Sequence, residues 1–284
     1  MRSEPVDSVW TEGAAIHKAI PWPRVARLIL TALGVATLVL IAIRLGGVES
    51  PDARSYYEAH GEHLYLGTLG DIAYAYSPAF AQVIGPLQEL PYAAFRSIIA
   101  LAEFGALLYL FGPLVAFVIG VFQIAPMWDE IAFGGNIQIV AAALLVAGLR
   151  GGAWAWPFLM LSKVTPGIGI MWPLLRRDYR QVAIGLGLTG IIAAVSFVAA
   201  PHHWFEWMAW MTGQLDASGD RPFLPHALRL VIAIGIIVYA SRNDRVWLVP
   251  LAAAIAGPEG GGHWLLLLAM WPLAQDRRHP AVAM

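Results

Sequence analysis

From about Arg24 to Ile43 the chain is nearly unbroken in apolar character, long enough to cross the roughly 30 Å hydrocarbon core of a bilayer as one helix. Nine further apolar segments follow, near 73–90, 93–111, 113–126, 134–149, 153–175, 181–200, 223–240, 246–256 and 263–275. This succession predicts an all-α, multi-pass transmembrane helical bundle of about ten spans. Composition agrees: 58% of the 284 residues are hydrophobic and 13% charged, where a soluble domain carries about 25% charge. A net charge of −1 supplies no basic field for nucleic acid. The absence of cysteine removes disulfides, thiolate metal sites and thiol nucleophiles together.

Residues 1–23 are polar and mixed in charge, and read as a cytoplasmic tail rather than a cleaved signal peptide. The transmembrane domain is expected over 24–275, with external loops at 46–72 and 201–222 and a cytoplasmic tail at 276–284. Orientation follows the Lys and Arg distribution. Arg2, Lys18, Arg24 and Arg27 precede the first span, and counting crossings forward places Arg96, Arg176, Arg177 and Arg180 inside as well. The acid-rich loops then lie outside. This counting treats 93–111 and 113–126 as separate spans, and it puts Gly134–Gln138 at a cytoplasmic end. The last two segments are short, and read either as tilted spans or as one re-entrant hairpin.

Few residues carry chemistry. Pro51 ahead of Asp52 predicts a short surface helix starting there, with Asp52 and Tyr56 sharing a face and Arg54 elsewhere. Asp52 is either a solvated acid at a helix start or a general base at the membrane surface. Asn136 and Gln138 read most simply as capping or interhelical amides. Lys163 lies mid-span beside Pro166-Gly167, where an ammonium costs about 2.5–3.5 kcal/mol by insertion scales. It therefore needs an acid, with Glu103, Asp129 and Glu130 as candidates, or an anionic ligand. His202-His203-x-x-Glu206 could suggest a metal, but an interfacial aromatic belt is the simpler reading, leaving His202, His203 and Arg221 as possible phosphate contacts.

In order, these pieces resemble glycosyltransferase family 87, membrane glycosyltransferases of the C-type superfamily that use polyprenyl-phosphate sugars. The matching features are Asp52 with Tyr56-Tyr57, then Tyr76-Ser77-Pro78-Ala79-Phe80 with Gly85-Pro86-Leu87, then Gly135-Asn136-Ile137-Gln138, and Lys163-Val164-Thr165-Pro166-Gly167 ahead of Arg176-Arg177. The resemblance covers roughly residues 50–200. It implies inverting transfer of a sugar, most often mannose, from a polyprenyl phosphate to an envelope glycolipid or glycan, on the extracytoplasmic face of the plasma membrane. Asp52 would be the base. Arg54, Tyr56, Tyr57, His60, His63, Tyr76 and Lys163 would be candidates for the sugar or the leaving phosphate, with no cofactor and no metal required. The rivals are a transporter or flippase for the same lipid-linked sugar, and a non-catalytic envelope-assembly protein.

Overall fold

The computed structural model describes residues 22–61, 64–65, 74–217, 225–257 and 264–276. Among them there are helices and turns but no strand. The order begins with α1 (Trp22–Leu45), α2 (Pro51–Tyr57), α3 (Pro78–Gln88), α4 (Tyr92–Phe111), α5 (Pro113–Phe122) and α6 (Met127–Asp129), which opens into a wide turn over Glu130–Gly134. It continues with α7 (Gln138–Leu149), α8 (Ala155–Ser162), α9 (Met171–Leu175), α10 (Tyr179–Ala199), α11 (Pro201–Ala217), α12 (His226–Arg242), α13 (Val249–Ile255) and α14 (Met270–Gln275).

Among the described residues, three helices are long and apolar enough to cross a membrane: Val25–Leu45, Tyr92–Phe111 and Tyr179–Ala199. The pair Pro113–Phe122 and Met127–Gly134, bent by 75°, makes a fourth if taken as one broken span. Their outer faces carry bare Leu, Ile and Val, as at Leu28, Leu114, Ile191 and Val198, which suits lipid and not water.

The bundle has two ends, marked by polar contacts. At one end the Tyr92 hydroxyl receives the Ser50 N–H at 3.2 Å, and Ser50 Oγ donates to the Gly134 carbonyl at 2.6 Å. From there α4 runs 20 residues, about 30 Å at 1.5 Å per residue. It brings Tyr109 to Arg150 at the other end. Arg150 there makes a two-pronged ion pair with Asp276, both distances 2.9 Å. Arg176 pairs with Asp244 at 3.2 Å, and Gln181 donates to the Gly148 carbonyl.

These contacts correct the expected crossings. Residues 73–90 do not traverse: α3 is 11 residues long and stays at the Ser50 end, buried through Phe80, Ala81 and Ile84 against Tyr56 and Phe95. Arg96 and Gly134–Gln138, expected at the cytoplasmic end, lie at the same end as Asp52. Arg96 is fully buried and donates to the Ile131 and Ala132 carbonyls. Segment 153–175 is not one span either. α8 ends at Ser162, and the chain doubles back through a tight helical turn (Thr165–Ile170) into α9. Arg176 therefore returns to the end where α8 began. The stretch 201–217, expected as loop, is helical in α11.

The hairpin is held by its core. Trp156 is fully buried among Gly148, Gly169 and Gly185, where an added Cβ would stand 3.0, 3.2 and 2.8 Å from the indole. The close approach of three backbones to one ring is open only to glycine. Residues 246–275 enter beside Asp244 and leave at Asp276, so both ends of that segment also lie at the Arg150 end.

Candidate active site

α2 starts at Pro51, whose missing N–H costs nothing at a first helical position, and its last carbonyls are taken from outside the helix. Gln88 Nε2 donates to the Tyr56 and Ala59 carbonyls at 2.7 and 3.0 Å. The short helix is thus fastened to α3 at one end and, through Ser50, to Gly134 at the other. Seven residues could not hold a helix alone in water.

This fastening aims Asp52 and Tyr56 inward. Asp52 is half-buried, and its Oδ2 accepts the Asn136 Nδ2 hydrogen at 2.7 Å. No other described residue takes the remaining oxygen. Tyr56 is fully buried, and its hydroxyl lies 2.5 Å from that of Tyr76. Burial, then the neighbouring Tyr76 and Asp52, push the Tyr56 hydroxyl well above the usual phenol range, so it stays protonated. The Tyr76 hydroxyl in turn donates to Asn136 Oδ1 at 3.4 Å.

Lys163 completes the group. Its ammonium stands over the Tyr76 ring, 5.3 Å from the centroid, a cation–π placement. Glu130, on the wide turn, feels the charges of both Asp52 and Lys163. Of the acids expected as partners for Lys163, Glu130 is the one in electrostatic reach, whereas Asp129 is exposed and Glu103 faces Arg96. Lys163 closes α8, and the next residue, Val164, has φ +44° and ψ −54°. A β-branched residue there is strained, and the turn is closed by Thr165, which bonds the Lys163 carbonyl with both its N–H and its hydroxyl. Ser77 ties this apex to α3 through the Leu161 carbonyl.

The structure thus gathers Asp52, Tyr56, Tyr76 and Lys163 from the residues expected in the site. Sequence reasoning names Glu130 only as a partner for Lys163 and reads Asn136 as a capping or interhelical amide, not as the partner of Asp52. Arg54 turns away, paired with Glu58 at 3.0 Å and lying over the Tyr92 ring. Tyr57 also faces outward from the group, its hydroxyl on the Leu90 carbonyl at 3.0 Å. His60 is exposed beyond α2. His202 and His203 sit on α11, ring against ring with centroids 4.0 Å apart, and α11 is tied to α10 by Trp204 and Ser196 at 3.1 Å. His63 and Arg221 lie outside the described residues. Among those described, no group of three or more His, Cys, Asp or Glu could hold a metal ion.

Gly135 decides how closely Asn136 can approach Asp52. Its φ is +65°, and an added Cβ would meet Ser50 Oγ and stand 2.9 Å from Ala53 Cβ. Gly135→Ala is expected to push α2 off the wide turn. The left-handed backbone alone costs about 1–2 kcal/mol, and the overlap adds to it. Gly187→Ala, in open space, should leave melting temperature and activity unchanged. Unaltered melting temperature and activity in Gly135→Ala itself would show that the contact is slack.

The family model of glycosyltransferase family 87 matches residues 74–284. No curated protein and no solved structure matches the chain. The matched stretch includes Tyr76, Glu130, Asn136 and Lys163 and begins after Asp52. It also takes in 201–284, which the sequence reading leaves outside the resemblance.

Proposed function

The chain belongs to glycosyltransferase family 87 and is a membrane glycosyltransferase, and on that premise we propose that it uses a polyprenyl-phosphate sugar, most often mannose, with Asp52 as general base. The observation that carries this reading is the bond from Asn136, inside the family match, to Asp52 before it. One carboxylate oxygen is held by that amide, and the other is left to accept a proton.

The acceptor is a glycolipid or glycan hydroxyl on the extracytoplasmic face of the plasma membrane. Its oxygen attacks the anomeric carbon while the bond from that carbon to the phosphate oxygen breaks, which inverts the configuration. The lipid phosphate leaves with the bonding electron pair, and Asp52 takes the hydroxyl proton, an effect worth typically 10²–10⁴ in rate. As the phosphodiester becomes a monoester its negative charge grows. We assign its stabilisation to the Lys163 ammonium, which stands over the Tyr76 ring, in the manner of a preorganised electrostatic site.

The test is transfer by the purified protein in lipid. With labelled polyprenyl-phosphate mannose and a membrane glycolipid fraction, the label should move to a product of inverted linkage. Movement of intact donor between leaflets with no new bond would favour the transporter reading.

A further inference from the structure

We infer that Asn136 is the positioning residue for Asp52, and that the Tyr76 hydroxyl, held in turn by Tyr56, fixes which way the Asn136 amide faces. This rests on the reading of Asp52 as base and adds the device that orients it.

The direction of each hydrogen bond follows from what the groups can give. A carboxylate only accepts, so the atom of Asn136 facing Asp52 Oδ2 at 2.7 Å is the Nδ2 donor. That leaves Oδ1 toward Tyr76, 3.4 Å away, and an amide oxygen has no proton to give. The Tyr76 proton therefore points at Asn136. The Tyr56–Tyr76 contact of 2.5 Å then runs one way, with Tyr56 as donor. The chain runs from Tyr56 through Tyr76 to Asn136. Every link is a side chain at most 9% exposed, so water does not compete for these groups, and each bond polarises the next.

The alternative orientation of Asn136 sets an amide oxygen against the Asp52 carboxylate. Two acceptors facing each other repel, and Asp52 would swing away. A base displaced by about 1 Å from its reacting proton can lose 10²-fold in rate. With Tyr56 donating to Tyr76 and Tyr76 to Asn136, the chain favours the observed arrangement over that one. It also explains why Tyr76 is a phenol: the ring alone suffices to sit under Lys163.

The test is Tyr76→Phe, which keeps the ring and removes the hydroxyl, alone and combined with Asn136→Ala. Tyr76→Phe should fold with the parent's melting temperature to within a few degrees, keep KM for the polyprenyl-phosphate sugar, and lose about tenfold in kcat. In the Asn136→Ala background the same change should cost almost nothing further, since its path runs through Asn136. Tyr76→Phe with normal kcat, or the same loss in both backgrounds, overturns the proposal. A rise in KM in step with the fall in kcat also overturns it, because that marks a binding or folding role. Asp52→Asn measured alongside separates the two layers. If that variant still transfers sugar, the base assignment fails, whereas an inert Asp52→Asn beside an unaffected Tyr76→Phe removes only the orienting chain.

Discussion

Asp52→Asn is expected to lower the transfer rate by at least about a hundredfold, the lower end for a lost general base, while polyprenyl-phosphate sugar still binds. The change is close to isosteric. The new amide can turn its oxygen toward Asn136 Nδ2, so the 2.7 Å bond and the seat of α2 survive. What is lost is the capacity to take a proton. Glu58→Gln is the matched control, because Glu58 is exposed and pairs with Arg54 on the far side of α2. Its effect should be small, as an exposed ion pair contributes about 0–1 kcal/mol. Single-turnover rates with bound donor would check both variants. Retained transfer in Asp52→Asn moves the base elsewhere, with Glu130, electrostatically coupled to Asp52, the next candidate among the described residues.

Lys163→Met should raise the donor KM by about ten- to a hundredfold, the loss of roughly 1.5–3 kcal/mol that accompanies a charged hydrogen bond to phosphate. The stem length is kept, so packing at the apex is little disturbed. The variant also removes the positive charge that acts on Glu130 beside Asp52, which lowers kcat as well. Lys163→Arg retains charge and cation–π contact and should recover most of the binding. Unchanged donor KM in Lys163→Met would show that the ammonium does not hold the donor phosphate.

Much of this site is legible in the sequence because it rests on local rules. Pro51 sets the start of α2, spacing puts Asp52 and Tyr56 on one face, and Pro166-Gly167 announces the break that carries Lys163. The rest depends on traversal, which hydropathy does not report. Residues 73–90 are apolar enough to be taken for a span, yet Phe80 and Ile84 bury against other helices, and Pro86 sits inside a helix of only 11 residues. Arg96 looks like a marker of the cytoplasmic side. It is instead buried inside the bundle, donating to the Ile131 and Ala132 carbonyls, so it says nothing about orientation. Segment 153–175 reads as a crossing and instead returns. The two departures cancel, so hydropathy and structure both set Arg176 at the end opposite Asp52, while Asn136, between them, reads at the other end from Asp52 although it bonds it.

The span of chain between Asp52 and its amide partner has a consequence for how the protein is made. Eighty-four residues separate Asp52 from Asn136, and the same number separates Ser77 from the Leu161 carbonyl. At synthesis rates of about 5–20 residues per second, that delay is roughly 4–17 s. During this interval α2, seven residues long, has no Gly134 or Asn136 to hold it and is too short to persist alone. Asp52 is therefore positioned late, by segments that follow it into the bilayer. A nascent chain stalled before Asn136 has inserted its first helix but does not yet hold the Asp52–Asn136 pair.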